Sequence, residues 1–392
     1  MFYIIALWLF IILLIILLIK QLEINTNYVV CFLLTFLTIL FVIDLKNSMN
    51  SAIDGCKLWF SAKLPTIFPF LVICNLLISY DGIKLYSKIL GPLLCKPLGL
   101  SKSSAFPITA SILCGYPLGA KYCSDIYKEG FISRNEYIRL LNIATNCGPL
   151  FIIGPVSTAM LGNIKFSYIL LIANYLAPFI IGLVTRKKHT ACGLEDITDS
   201  SSNKNFGTKF KLAIDDAVKT TISIGAFIIT FSVIIGIIKN NTYTSIVFQK
   251  LELLLNTPKN SLYSLFLGSI EITNGCNLIS QSDLALSLKL SIISFFCSFS
   301  GLCIIAQVSS FISENKVSLL KYSLIKFTQG ILSFVITFII SIFTITTTET
   351  SSIIINNPNI NFNIYICLIP VILMLVITLL LLILKKLFAH FS

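Results

Sequence analysis

Charge is what this chain lacks. Only 12% of its 392 residues are Asp, Glu, Lys or Arg, and 56% are hydrophobic. A soluble domain carries roughly a quarter charged residues. A folded soluble protein with this composition would expose large apolar surface, so the soluble classes are excluded. Histidine is scarcer still, at two residues, His189 and His390. The twelve cysteines are scattered, mostly in apolar segments, and no two form a CxxC. Clustered Cys/His ligands for a structural zinc are therefore missing, and the thiols read as small buried hydrophobes. A secreted disulfide framework does not fit either. No P-loop, catalytic triad, metal motif or Gly-rich nucleotide loop occurs. The sequence predicts no enzyme, no cofactor, no metal and no ATP hydrolysis by this chain.

What the chain has is long apolar runs. Phe2–Ile19 is free of charge, and Tyr28–Ile43, Ile222–Ile238, Ser323–Thr348 and Tyr365–Leu384 are further candidates, with Lys326 the lone charge in one of them. Crossing the hydrocarbon core takes roughly 20 apolar residues as a helix. The runs are continuous rather than alternating, which selects helices over a β-barrel. The fold class is an all-α polytopic membrane protein. Phe2–Ile19 reads as a retained membrane helix, because it has no basic n-region and no small-x-small cleavage site follows.

The net charge of +12 is a matter of topology rather than nucleic-acid binding. Basic residues collect in loops, as they do on the cytoplasmic side of membrane proteins. The densest cluster runs from Arg186, Lys187 and Lys188 to Lys219, while 346–363 has neither Lys nor Arg. This places 186–220 and the C-terminus inside and 346–364 outside. Lys84, Lys88, Lys96, Lys102, Lys128, Arg134 and Arg139 then fall inside as well, whereas Lys250 and Lys259 fall outside and fit less well.

The chain also repeats itself. Residues 51–77 align without gaps to 212–238, an offset of 161, and share Ala52-Ile53-Asp54 with Ala213-Ile214-Asp215 ahead of an apolar run. Each triplet opens a stretch that reads as an amphipathic helix leading into a membrane helix, with the aspartates as caps or interface charges. Further on, polar Gly-containing breaks come in pairs. The first half has 114–121 and 146–155, and the second has 271–281 and 300–307. Irregular backbone at membrane depth survives only where protein or a wet cavity satisfies it. Paired breaks in two halves point to a transporter site; simple surface turns are the other reading. With 104–124 and 262–281 as re-entrant hairpins, each half crosses an odd number of times and the second half is inverted. About nine crossings result. The segments are 1–44 (N-terminal helices), 45–185 (first repeat), 186–211 (basic loop), 212–345 (second repeat) and 346–392 (polar loop and last helix).

The motifs Pro65-Thr-Ile-Phe-Pro-Phe70, Gly115-Tyr-Pro-Leu-Gly-Ala-Lys121, Asn146-Cys-Gly-Pro-Leu-Phe-Ile-Ile-Gly154 and Ser300-Gly…Ala306-Gln-Val308 carry a resemblance. From about 45 to 345 the chain resembles the YlbJ (SpoVV) family of sporulation integral membrane proteins, which bear the nucleoside-recognition Gate domain. The resemblance implies a carrier of dipicolinic acid in the outer forespore membrane, with other sporulation membrane proteins as partners. It also implies similarity to parts of concentrative nucleoside transporters, from which a substrate is not inherited.

A rigid aromatic dianion needs donors, positive potential and an apolar slot. Half-helix N-termini offer donors, and Gly115 and Gly119 let backbone approach closely. Lys121 is the basic residue of this break, as a carboxylate partner or as a snorkelling side chain. Tyr116 stacks, donates or simply packs. Asn146, Gly148 and Pro149 open the next break, where Asn146 binds or caps. Glu271 is the lone charge between Lys259 and Asp283; it carries a coupling proton, pairs with Lys121 or sits at the interface. Thr273, Asn274, Asn277, Gln281, Ser300 and Gln307 supply polar lining. The expected partners are a small anion and the lipid bilayer. A membrane scaffold role, or carriage of another small solute such as a nucleoside, are the alternatives.

Overall fold

The structure is a computed structural model that describes residues 26–186, 205–255, 257–315 and 317–345. The expected helices at Phe2–Ile19 and Tyr365–Leu384 and the polar stretch 346–363 lie outside these residues. The described residues are mostly helical, with no strand among them.

Helix α1 (Thr26–Ile43) leads into α2 (Leu45–Leu58). A π-helical turn at Trp59–Lys63 joins α2 to α3 (Leu64–Ser79), which accommodates Pro69. After α4 (Gly82–Ile89), α5 (Ala105–Cys114) and α6 (Leu118–Lys128) form a hairpin. Helix α7 (Arg134–Ile143) stops at an extended stretch, and the chain resumes helically from Pro149 to Met160, mostly with π-helical geometry. Helix α8 (Phe166–Val184) closes this half.

The second half has the same order. Helix α9 (Phe206–Asn240) comes first, followed by the short α10 (Thr242–Leu255). A hairpin of α11 (Ser261–Ile270) and α12 (Ile272–Ser280) is next. Helices α13 (Leu286–Phe299) and α14 (Gly301–Ile312) are one helix interrupted at Ser300 and Gly301, both left-handed at φ 74° and 69°. Helix α15 (Leu319–Ile345) ends the described chain.

The α2–α3 unit covers 45–79 and α9 covers 206–240. Both ends are displaced by the 161 residues read from the Ala-Ile-Asp repeat. These two units pack antiparallel. Gly236 lies against Ser51 and Gly55 against Ser232. The Trp59 indole donates to the Thr221 carbonyl at 3.2 Å, and Asn75 donates to the Ala213 carbonyl at 3.2 Å. Small residues at the upper crossings let the backbones approach, as in membrane helix pairs generally. The repeated aspartates lie within helices rather than at their starts. Asp54 forms an exposed pair with Lys57 at 3.6 Å, and Asp215 is exposed.

Helix α15 shows how lipid inverts the usual pattern. Tyr322, Lys326, Gln329, Ser333, Thr337 and Ser341 are buried, while Leu320, Leu324, Phe327, Ile331, Val335 and Ile339 are exposed. Both sets recur every three or four residues, one stripe each. The polar stripe faces α8 and α13, where Ser294 bonds Asn174 at 3.1 Å and Ser333 and Thr337 at 2.7 Å.

Among the described residues four helices are long and apolar enough to cross a membrane: Lys165–Val184, Phe206–Asn240, Leu286–Asn315 and Leu319–Thr344. Two bent pairs bring this to six. Val30–Ile43 with Leu45–Ser61 turns by 101°, and Ile67–Ser79 with Gly82–Ile89 by 88°. The nine expected crossings included the two terminal runs outside the described residues. The protein is an all-helical membrane protein. One residue counted among the inside loop charges is buried: Arg139 on α7 donates to the Leu98 and Gly99 carbonyls at 2.8 and 3.2 Å.

Candidate functional site

The site begins with the backbone groups freed at the first break, residues 144–148. In an apolar surrounding each must find a partner. The Asn146 amide N–H donates to Ser111 Oγ at 3.3 Å, and its carbonyl accepts from Tyr116 N at 2.8 Å. The Cys147 carbonyl accepts from Tyr175 Oη at 3.0 Å. The Thr145 carbonyl accepts from Lys326 Nζ. Side chains and backbone from α5, its hairpin turn, α8 and α15 thus complete this break.

Each hairpin turn rests on the break of its own half. Gly115, at φ 76°, turns the first hairpin, and a Cβ there would overlap the Gly148 backbone. A Cβ on Gly119 would overlap the Ala144 carbonyl oxygen. In the second half, a Cβ on Gly301 would come within 3.2–3.4 Å of the Gly268, Ser269 and Ile270 carbonyls, just before Glu271. The two halves then meet: Tyr116 Oη donates to the Cys297 carbonyl at 3.3 Å. Cys147, Cys276 and Cys297 gather around Tyr116, and all three are buried. Beside them the Lys63 ammonium lies 5.4 Å from the centre of the Phe151 ring. Gly115, Tyr116, Asn146, Gly148 and Pro149 are therefore brought together, with Ser300 in the neighbouring break.

Lys121 sits elsewhere. Its Nζ is 2.8 Å from Asp125 and 2.9 Å from Asp216 of α9, and Asn75 donates to the same Asp216 oxygen at 2.8 Å. Burial disfavours the ammonium, but the two carboxylates outweigh this and raise its pKa above the ordinary lysine value. Glu271 is not its partner. The Glu271 carboxylate caps α12, accepting from the N–H groups of Thr273 and Asn274 at 2.9 Å each. Asn274 also donates its side-chain amide to Glu271 at 2.8 Å and accepts from Lys239. Asp216 and Lys239 mark the Lys121 and Glu271 neighbourhoods and lie roughly 35 Å apart along α9, at about 1.5 Å rise per residue.

Asn277 and Gln281 are exposed and bond each other at 3.2 Å. Gln307 is buried and donates to Cys303 Sγ at 3.5 Å. Ser300 is buried and donates to the Phe299 carbonyl.

Several residues of this region escape a reading of breaks alone. Asp216 is hidden beside the repeated Asp215. Lys63 lies just before the Pro65 motif. Tyr322, Lys326 and Gln329 belong to an apolar run, and only their helical spacing betrays a polar stripe.

Residues 61–161 match the family model described as Gate, nucleoside recognition. This segment contains α3, the first hairpin and the first break. The class is thus an all-helical membrane protein with a Gate domain. Over 331 residues the chain is 26% identical to the sporulation integral membrane protein YlbJ of Bacillus subtilis (strain 168), covering 79% of this chain and 81% of that protein. The resemblance carried by the GYP-x-GAK and N-x-x-PLFI-x-G blocks is borne out. Among solved structures, a double variant of CNTnw in an outward-facing state gives a TM-score of 0.45 at 15% identity, over 76% of this chain and 85% of that one. CNTnw in an inward-facing substrate-bound state gives 0.43 at 14%, over 75% and 84%.

Proposed function

We propose that this protein is a sporulation membrane transporter that carries a small anion, dipicolinic acid, from the mother cell across the outer forespore membrane by alternating access. The observation that supports carriage most directly is the convergence of interruptions. Two hairpin turns each lie on a broken helix, and the Tyr116–Cys297 bond joins the two sets. Helices are broken at membrane depth where a substrate must meet backbone donors.

An inverted repeat underlies this reading. Its support is the antiparallel packing of 45–79 against 206–240, the segments related by the repeat. Corresponding segments that run in opposite directions give two halves that open to opposite sides. The similarity to YlbJ, a sporulation integral membrane protein, supports the sporulation role; the outer forespore membrane is what the family resemblance implies. Glu271 is the candidate for the coupling proton. A nucleoside is the second reading of the cargo, favoured by the Gate match over 61–161.

The test is uptake of labelled dipicolinate into vesicles holding the full chain, with labelled uridine as comparator. Saturable dipicolinate uptake is expected, and uridine uptake in its place would transfer the assignment to nucleosides. No uptake of either by the folded protein would sink the carrier reading and favour a scaffold role.

A further inference from the structure

Lys326 is 0% exposed, deep on the polar stripe of α15. Its Nζ donates to the Thr145 carbonyl, in the first break, and to Gln329 Oε1 at 3.0 Å. Both partners are neutral. No carboxylate pairs with Lys326 among the described residues. This sets it apart from Lys121, which two carboxylates already neutralise.

The difference decides which lysine is available to an anion. Capping one orphan carbonyl does not require a charge; a serine or glutamine supplies a donor without the desolvation cost of an ammonium. A buried cation without a counter-ion is costly inside a membrane and marks a functional position. Its surroundings suit an anion. Gln329 Nε2 donates to Asn146 Oδ1 at 3.1 Å, so a second donor stands beside the ammonium. Tyr322, one turn earlier, donates to Thr145 Oγ1 at 3.0 Å.

Tyr322 also lines a cleft of about 190 Å3 between α7 and α15, with Arg134, Asn142 and Lys321 among its walls. Two basic side chains at the cleft raise the local concentration of anions. Tyr322 thus belongs both to the cleft wall and to the Thr145 contact that Lys326 shares.

We propose that Lys326, with Gln329 and the first break, is an anion-binding subsite of the carrier, entered from the basic cleft past Tyr322. The proposal rests on the carrier reading above and names the charge that its cargo must bear. A carboxylate arriving there accepts from Lys326 in place of Gln329 Oε1. Opening the Tyr322–Thr145 bond admits it.

The experiment uses the full chain in lipid nanodiscs and measures binding by titration and by thermal shift. The probes are pyridine-2,6-dicarboxylate and its neutral dicarboxamide. Wild type should bind the dianion at least about tenfold more tightly than the diamide, the size of one charge-assisted hydrogen bond. Lys326→Met should lose that preference; because it also removes the donor to the Thr145 carbonyl and Gln329 Oε1, a thermal melt of the empty variant checks that it is folded. Lys326→Arg should keep it in part. Equal affinity of wild type for the two probes overturns the subsite without any variant. Undiminished dianion binding by Lys326→Met overturns it while leaving the carrier reading intact. If wild type binds the diamide alone, or neither probe, the anion-carrier reading falls and the subsite falls with it.

Discussion

Tyr116, in the turn of the first hairpin, donates to the carbonyl of Cys297, three residues before the second helix break, at 3.3 Å. This bond links the first half to the second across 181 residues of sequence. It ties a Gate-domain residue to a helix outside that domain. Tyr116→Phe removes the bond while keeping the ring. The Cys297 carbonyl is a helical acceptor, so the expected loss of stability is small, about 0.5–1.5 kcal/mol. Transport rate should change more than stability, measured as vesicle uptake beside a thermal melt.

The Lys121 cluster makes a different claim. Lys121→Ala leaves Asp125 and Asp216 facing each other without their cation. Breaking a buried pair costs about 3–5 kcal/mol. The Asp216 side chain is 49% exposed, so solvent screening reduces this to about 1–3 kcal/mol. Adding Asp216→Asn should recover part of the loss, as a double-mutant cycle in thermal unfolding would read.

Close approach should separate the glycines. Gly119→Ala forces a Cβ into the Ala144 carbonyl and should abolish folding or transport. Gly154→Ala meets nothing within 4 Å, and should stay within about 0.5 kcal/mol of wild type. Expression and melting of the two variants in parallel checks this contrast.

Glu271 caps α12 with two N–H acceptances. Glu271→Ala should cost about 0.5–2 kcal/mol, the usual worth of an N-cap, while Glu271→Gln keeps an acceptor and costs less. If the carboxylate also carries the coupling proton, Glu271→Gln uptake should lose its dependence on a pH gradient. A retained gradient dependence would assign Glu271 to the cap alone.

The antiparallel packing predicts sidedness. Lys209 donates to the Ser79 carbonyl at 3.0 Å and lies over the Tyr80 ring at 4.1 Å. The end of α3 and the start of α9 thus share one membrane face. Cysteines placed by Asp81→Cys and Gly207→Cys should label from the same side. Those from Lys46→Cys and Asn241→Cys should label from the other. Labelling of position 81 and position 207 from opposite sides would defeat the inverted arrangement.

Composition alone determined the class. With so few charges and such long apolar runs, no solvent but a bilayer suits the chain. The breaks at 114–121 and 271–281 were legible because Gly, Pro and a lone Glu interrupt apolar sequence, and the hairpins fall there. The offset of 161 was legible in the two Ala-Ile-Asp triplets, and the helix limits at 45–79 and 206–240 show the same spacing. Partner choice was not legible. A salt bridge depends on which helices come within about 4 Å, so the sequence offered Glu271 as only one of several partners for Lys121, and packing gave it Asp125 and Asp216. The same holds for the polar stripe of α15. Its residues are single and spread over five turns, and only the docking of α15 onto α8, α13 and the first break made them one surface. Hydropathy records how apolar a segment is on average; which face meets protein and which meets lipid is settled when neighbouring helices bury one side.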